Sequence, residues 1–239
     1  SDLPKSAQLT LPQQTTAGVR RVDVQIPGVD LHRPYEAQPH VPRDHWLQFF
    51  ARFAALYQWH DRSLLHPFAY QWLTAAGRGT SYCDAHAAAV RATETELGLH
   101  PLRELRISAL CATRAFRVFA AHLLLHARDF AQHYNAAQAA FRRRHRVRAV
   151  GRPVPLLGVH DEVVEVPLWL ARADGVRHRL FVGTSGGRLD LYAERDRVAS
   201  IEARALAQAT DHAPPSALEA EGWHLRPRAL TLSALIRYC

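Results

Sequence analysis

The sequence predicts an α/β protein, mostly helical to residue 150 and then a small antiparallel sheet, with core-like elements at both ends. One change of period and a set of turn signals carry this. From 113 to 145, Phe116, Phe119, Leu123, Ala127, Phe130, Tyr134, Ala137 and Phe141 recur at three or four positions, the apolar stripe of one long helix. In "EVVEVPLWLARADGVRHRLFVG" (162–183) the period becomes two, and Val164, Val166, Leu168 and Leu170 share a face. Asp174-Gly175 and "TSGG" then mark two hairpin turns, giving a three-stranded antiparallel β-meander with Pro167 at an edge or bulge.

The remaining elements follow in chain order. "SAQLTLP" and "VRRVDVQIP" are short β-prone runs, and four prolines with Gly28 between Pro27 and Pro42 predict an irregular linker. Asp44 is placed to cap a helix whose stripe is Leu47, Phe50, Phe53 and Tyr57. Leu65, Phe68 and Trp72 predict a second helix. "SYCD" has the form of a capping box for a third, which Gly98 stops. Residues 196–210 read as helical and "APPSALEAEG" as a linker with one helical turn. The domains expected are core-edge strands and linker (1–42), a helical subdomain (43–150), the meander (151–195), and a return to the core (196–239).

Composition narrows the class. A chain of 239 residues with 48% hydrophobic and 22% charged residues buries a substantial core. No apolar run approaches the length of a membrane span, and the first residues lack the apolar centre of a signal peptide. Cys83, Cys111 and Cys239 are odd in number and far apart, which argues against a disulfide framework or thiolate zinc site and fits a cytoplasmic setting. Met is absent and the last residues read as a truncated element, so an internal fragment of a longer protein is expected.

The formal net charge is +8, and "FRRRHRVRAVGR" (141–152) supplies six arginines and no acid, leaving +2 for the rest. These arginines fall at the C-terminal end of the long helix, where cations complement the helix dipole. With no aromatic after Phe141, a solvated helix end is favoured over a nucleic-acid grip. His122, His126, Asp129 and His133 form a polar stripe. Positions i and i+11 lie about 16 Å apart along a helix, so the four cannot share one ion, and no metal site is expected. Ser81, Cys83 and His86 lack a convincing orienting acid for nucleophilic catalysis. Two proline-fixed clusters suit anion binding better: "DLPKS", with Asp2, Lys5 and Ser6, and "LRPRALT", with Arg226 and Arg228 about Pro227. Surface polar residues at turns are the alternative.

Eight stretches in order, "DLPKSAQLTLP", "LRISALC", "AFRVFAAHLL", "YNAAQAAFRRRHRVR", "PVPLL", "EVPLWL", "RLFVG" and "GWHLRPRALTLSALIRY", resemble a planctomycete-type family of large bacterial proteins. That family is distantly similar to bacillithiol synthase, through Gly-rich motifs outside this chain and an Arg-Pro matched here by Arg226-Pro227. The resemblance implies a fragment of a Rossmann-like core carrying an inserted long-helix subdomain and the β-meander. It also implies part of a cytoplasmic ligase-like enzyme acting on a small metabolite. Asp2 and Lys5 would be catalytic, and Ser6, Arg226 and Arg228 would bind an anionic substrate group. Both clusters would then lie within about 10–15 Å of each other at a strand-end crevice. The expected partner is a small anionic metabolite, with nucleic acid disfavoured and no membrane. No residue pattern specifies a cofactor or an oligomeric state. The alternatives are a scaffold whose long helix packs on a partner through an exposed apolar patch, and RNA binding through 141–152.

Overall fold

The computed structural model describes residues 8–30, 33, 35–56, 65–100, 106–148, 155–208, 213–228 and 231. The chain divides into two compact units, one within residues 3–104 and one formed chiefly by residues 105–239. The fold is mixed α/β, and every strand pair among the described residues is antiparallel.

In the first unit, β1 (Gln8–Thr15) and β2 (Gly18–Gln25) form a two-stranded ribbon. The linker after it is more ordered than its prolines suggest. Gln38, buried, donates to the carbonyls of Asp30 and Arg33 and accepts from the Asp30 N–H. Gly28 is in the left-handed region, and a methyl group there would lie 2.4 Å from Val41 Cγ2, so both backbone and space demand glycine. Three helices follow, α1 (Arg43–Leu56), α2 (Leu65–Gly77) and α3 (Tyr82–Glu96). In α1 the buried face is Trp46, Phe49 and Phe50, while Leu47 is 47% exposed. Phe50 and Phe53 face the core as expected; Leu47 does not, and Trp46 takes its place in an aromatic cluster with Trp72 (4.8 Å) and Tyr82 (5.5 Å). Tyr57 lies outside the described residues. Ser81 caps α3 by accepting from the Asp84 N–H, and Gly98, with positive φ, closes its other end.

The second unit is built on five strands: β3 (Val163–Ala171), β4 (Arg177–Ser185), β5 (Arg188–Ala193), β6 (Asp196–Glu202) and β7 (His224–Pro227). Their spatial order is β6-β5-β4-β3-β7. Helices α4 (Ile107–Cys111), α5 (Arg114–Leu125), α6 (Ala127–Arg144), α7 (Ala203–Gln208) and α8 (Ala213–Ala220) complete it. Helix α8 touches both edge strands, β6 and β7. Four strand spacings span about 19 Å when flat, wider than a helix, so the sheet curls to bring both edges to α8. The inner face carries Val164, Val166, Leu168, Leu170, Leu180, Val182, Leu189 and Leu191, buried against Phe116, Ala120, Leu123 and Leu124 of α5.

Three expectations are corrected here. The long helix is interrupted at His126, whose backbone leaves helical geometry at φ −111 and ψ 27. Hydrogen bonding continues on both sides, from His126 N to His122 O and from Phe130 N to His126 O. Residues 196–202 are strand, not helix, since pairing with β5 overrides their helix-forming composition. "APPSALEA" is a helix, anchored by the fully buried Leu218. The two hairpin turns lie where their glycines put them, and Gly186 and Gly187 both have positive φ. At the β3 bulge, Pro167 and Leu168 have no register partner in β4. The bulge adds two residues, so Glu165 and Trp169 stay on the same face.

Candidate functional site

The outer face of this sheet gathers charge. One row runs across three strands: Arg226 of β7 pairs with Trp169 of β3, which pairs with Arg179 of β4. The guanidinium carbons of Arg228 and Arg177 lie 4.8 Å and 5.4 Å from the Trp169 ring centroid. The next row pairs Glu165 with Phe181 and Phe181 with Tyr192.

Both residues of the ion pair behind this face are buried, Glu165 at 4% and Arg228 at 5% exposure. Arg228 Nη1 donates to Glu165 Oε1 at 2.6 Å, and the Gly158 N–H donates to Glu165 Oε2 at 2.9 Å. Each carboxylate oxygen therefore has a donor, which is what a buried charge requires. Arg228 N and Thr231 Oγ1 both donate to the Pro167 carbonyl, so a bulge without a Pro N–H becomes the anchor of the returning chain.

The edge of β3 is shared. β7 covers its second half, and residues 158–160 run along its first half: Glu165 N donates to Gly158 O and His160 N to Val163 O. Helix α6 fixes this loop from behind. Asn135 bonds both the N–H and the carbonyl of Leu157, Tyr134 donates to Pro155 O, and Arg128 Nη2 donates to the carbonyls of His160 and Asp161. The first half of α6 thus positions the loop that carries Gly158 and His160.

A cleft of about 690 Å³ opens on this face, lined among others by His160, Glu165, Arg179, Phe181, Glu194 and Asp196. Its size falls within the range of small-molecule sites. Glu194, at the β5–β6 turn, has φ 57. Its carboxylate accepts from the Arg179 N–H at 3.0 Å and from the guanidinium, with Nη2 at 2.9 Å. Partial burial pushes the Glu194 carboxyl up, but the Arg179 N–H and guanidinium outweigh it and hold it below the usual carboxylate range. The hydrogen bond to Glu194 raises Arg179 in turn. Arg179 presents Nε and Nη2 to Glu194, and its Nη1 makes no hydrogen bond among the described residues.

The chain matches no family model and no curated protein.

Of the residues expected at a site, Asp2, Lys5 and Ser6 lie outside the described residues. Arg226 is half-buried on the outer face, and the one hydrogen bond of its guanidinium among the described residues is to the Leu225 carbonyl. Arg228 makes its charge-assisted bond to Glu165. His160, Glu165, Arg179 and Glu194 were not singled out from sequence. Glu165 alone left a trace there, as a carboxylate inside the apolar run "VVEVPLWL".

Elsewhere the sequence features are solvent-facing. Arg143, Arg144, Arg146 and Arg148 are exposed, and Phe141, expected in the buried stripe, is 51% exposed with its ring 4.4 Å from that of His145. The stripe is buried or half-buried to Tyr134, and beyond it Ala137 and Phe141 are exposed. Val118 and Phe141 are the exposed large apolar residues of α5 and α6, too far apart in the chain to form a continuous patch. The rings of His122 and His126 lie 4.5 Å apart, tilted by 46°, and among the described residues no three His, Cys, Asp or Glu side chains are placed to hold a metal. Also among the described residues, no helix is long and apolar enough to cross a membrane.

Proposed function

We propose that this chain forms the ligand-binding part of a ligase-like bacterial enzyme and takes a small metabolite with an anionic group on the outer face of the curled sheet. The observation that carries the binding reading is the row Arg226–Trp169–Arg179. Arg226 has no carboxylate partner among the described residues, and Arg179 keeps Nη1 open beside a cleft large enough for a metabolite. Guanidinium groups fixed by neighbouring pairs lose little freedom when they take a carboxylate or phosphate. The ligase-like chemistry rests on the sequence resemblance. In this reading Asp2 and Lys5 act on the bound metabolite, Ser6 and Arg226 contact it, and Arg228 acts through Glu165. The Rossmann-like core belongs to the same proposal.

Equilibrium dialysis of the protein against a bacterial small-molecule extract, read by mass spectrometry, tests the binding. Wild-type protein should retain one or a few anionic metabolites, and the Arg179→Gln/Arg226→Gln double variant should lose them. Retention of none, or equal retention by both proteins, would overturn the proposal.

A further inference from the structure

Arg226 and Arg179 stand at opposite ends of one row, each paired in register with the Trp169 between them. Two strand spacings separate their backbones, about 9.5 Å. Their guanidinium heads do not turn toward each other. Arg179 is held on the side of β4 away from Trp169: its carbonyl accepts from the Glu194 N–H, its Nε and Nη2 bond the Glu194 carboxylate, and its guanidinium carbon is 5.6 Å from the Phe181 centroid in the next row. Arg226 Nη1 folds back onto the carbonyl of Leu225 in its own strand. Between them lies the Trp169 ring, with the guanidinium carbons of Arg228 and Arg177 at 4.8 Å and 5.4 Å from its centroid. The cleft beside Arg179 agrees with this separation, since neither Trp169 nor Arg226 lines it.

One guanidinium fork matches the two oxygens of one carboxylate. A single such group cannot meet both arginines across the Trp169 ring. We propose, resting on the anion-binding reading above, that the ligand of this face carries two anionic groups about 9–10 Å apart. One sits on Arg179 in the cleft, the other on Arg226, and the middle of the ligand crosses Trp169. The acids of this face do not oppose a second negative charge. Glu165 is matched by Arg228 and Glu194 by Arg179, and Arg195 offsets Asp196 on the cleft lining. Arg177 adds its guanidinium beside the span. Two anion sites on one sheet favour a ligand that joins them, because binding at the first makes binding at the second intramolecular.

Four acids test the span. Propionate and octanoate carry one carboxylate each. Succinate carries two, about 4 Å apart, and suberate two, about 9 Å apart, when extended. Each is titrated into the full chain at constant ionic strength, with the side-chain N–H signals of Arg179 and Arg226 followed by NMR. Suberate should bind roughly tenfold more tightly than propionate, with one midpoint at both arginines. Succinate and octanoate should stay within about twofold of propionate, since neither reaches both sites with a charge. Arg226→Gln and Arg179→Gln should each remove the advantage of suberate. If suberate is no tighter than succinate or octanoate on the wild-type protein, the two-anion ligand is overturned without recourse to a variant, and saturable propionate shifts in the same series leave the anion site standing. A suberate advantage that survives both single variants overturns it equally. Wild-type protein in which none of the four acids shifts either arginine loses both the span and the anion site.

Discussion

At the scale of single residues, the second unit turns on the Glu165–Arg228 pair. Removing either partner leaves an uncompensated buried charge. Arg228→Ala and Glu165→Ala should each cost about 3–5 kcal/mol in urea unfolding, whereas Glu165→Leu combined with Arg228→Met should cost far less than the sum. Equal and additive losses would mean that the pair holds no buried charge. Tyr82 makes a separate prediction in the first unit. Burial among the aromatic rings, then the nearby Tyr35 and Cys83, push its phenol up to about 12 from 10.0. A raised folded value favours the neutral phenol. The contribution is complete below pH 10.0 and is lost as pH rises toward about 12. Denaturant stability followed through that window should fall more steeply for the wild type than for Tyr82→Phe. Identical profiles would place Tyr82 in water.

Elements were legible where backbone chemistry announced them. Gly186 and Gly187 both need positive φ, and a methyl group on either would touch nothing within 4 Å. Gly187→Ala should therefore cost about 1–2 kcal/mol from backbone strain alone, without shifting the register of β4 and β5. Chemical denaturation measures the cost, and cross-strand NOEs the register. Ser81→Ala should cost α3 about 1 kcal/mol through the lost cap, and Ser81→Asn a few tenths at most. Thermal unfolding that ranks both variants with the wild type would remove the cap from the account. The elements that sequence misread lacked such signals. No Pro or Gly marks the interruption at His126. In β6, helix-forming Ala, Arg and Glu conceal a strand that exists because Ile201 meets Leu189 and Glu202 pairs with Arg188. Distant pairing of that kind decides strand structure and leaves no local trace.

For the whole molecule, charge gives a misleading first impression. The densest basic stretch is an exposed helix end, and the polar groups that line the cleft are dispersed in sequence: His160 in the loop along the edge of β3, Glu165 on β3, Arg179 on the next strand and Glu194 at a turn, with Arg226 on β7 in the same row as Arg179. Arg226 is the member of that row that sequence singles out, because a proline stands beside it at an element boundary. It does not single out the others, since only sheet register brings Arg226, Trp169 and Arg179 into one row. The two basic features make opposite predictions for a small anion. In a propionate titration followed by amide NMR at constant ionic strength, with chloride as the exchanged ion, the outer-face site predicts saturable shifts at Arg179, Phe181, Glu194 and Arg226. It predicts only weak, non-saturating changes at Arg142–Arg148. Saturable shifts confined to the helix end, with the sheet face silent, would contradict the site and the function proposed for it.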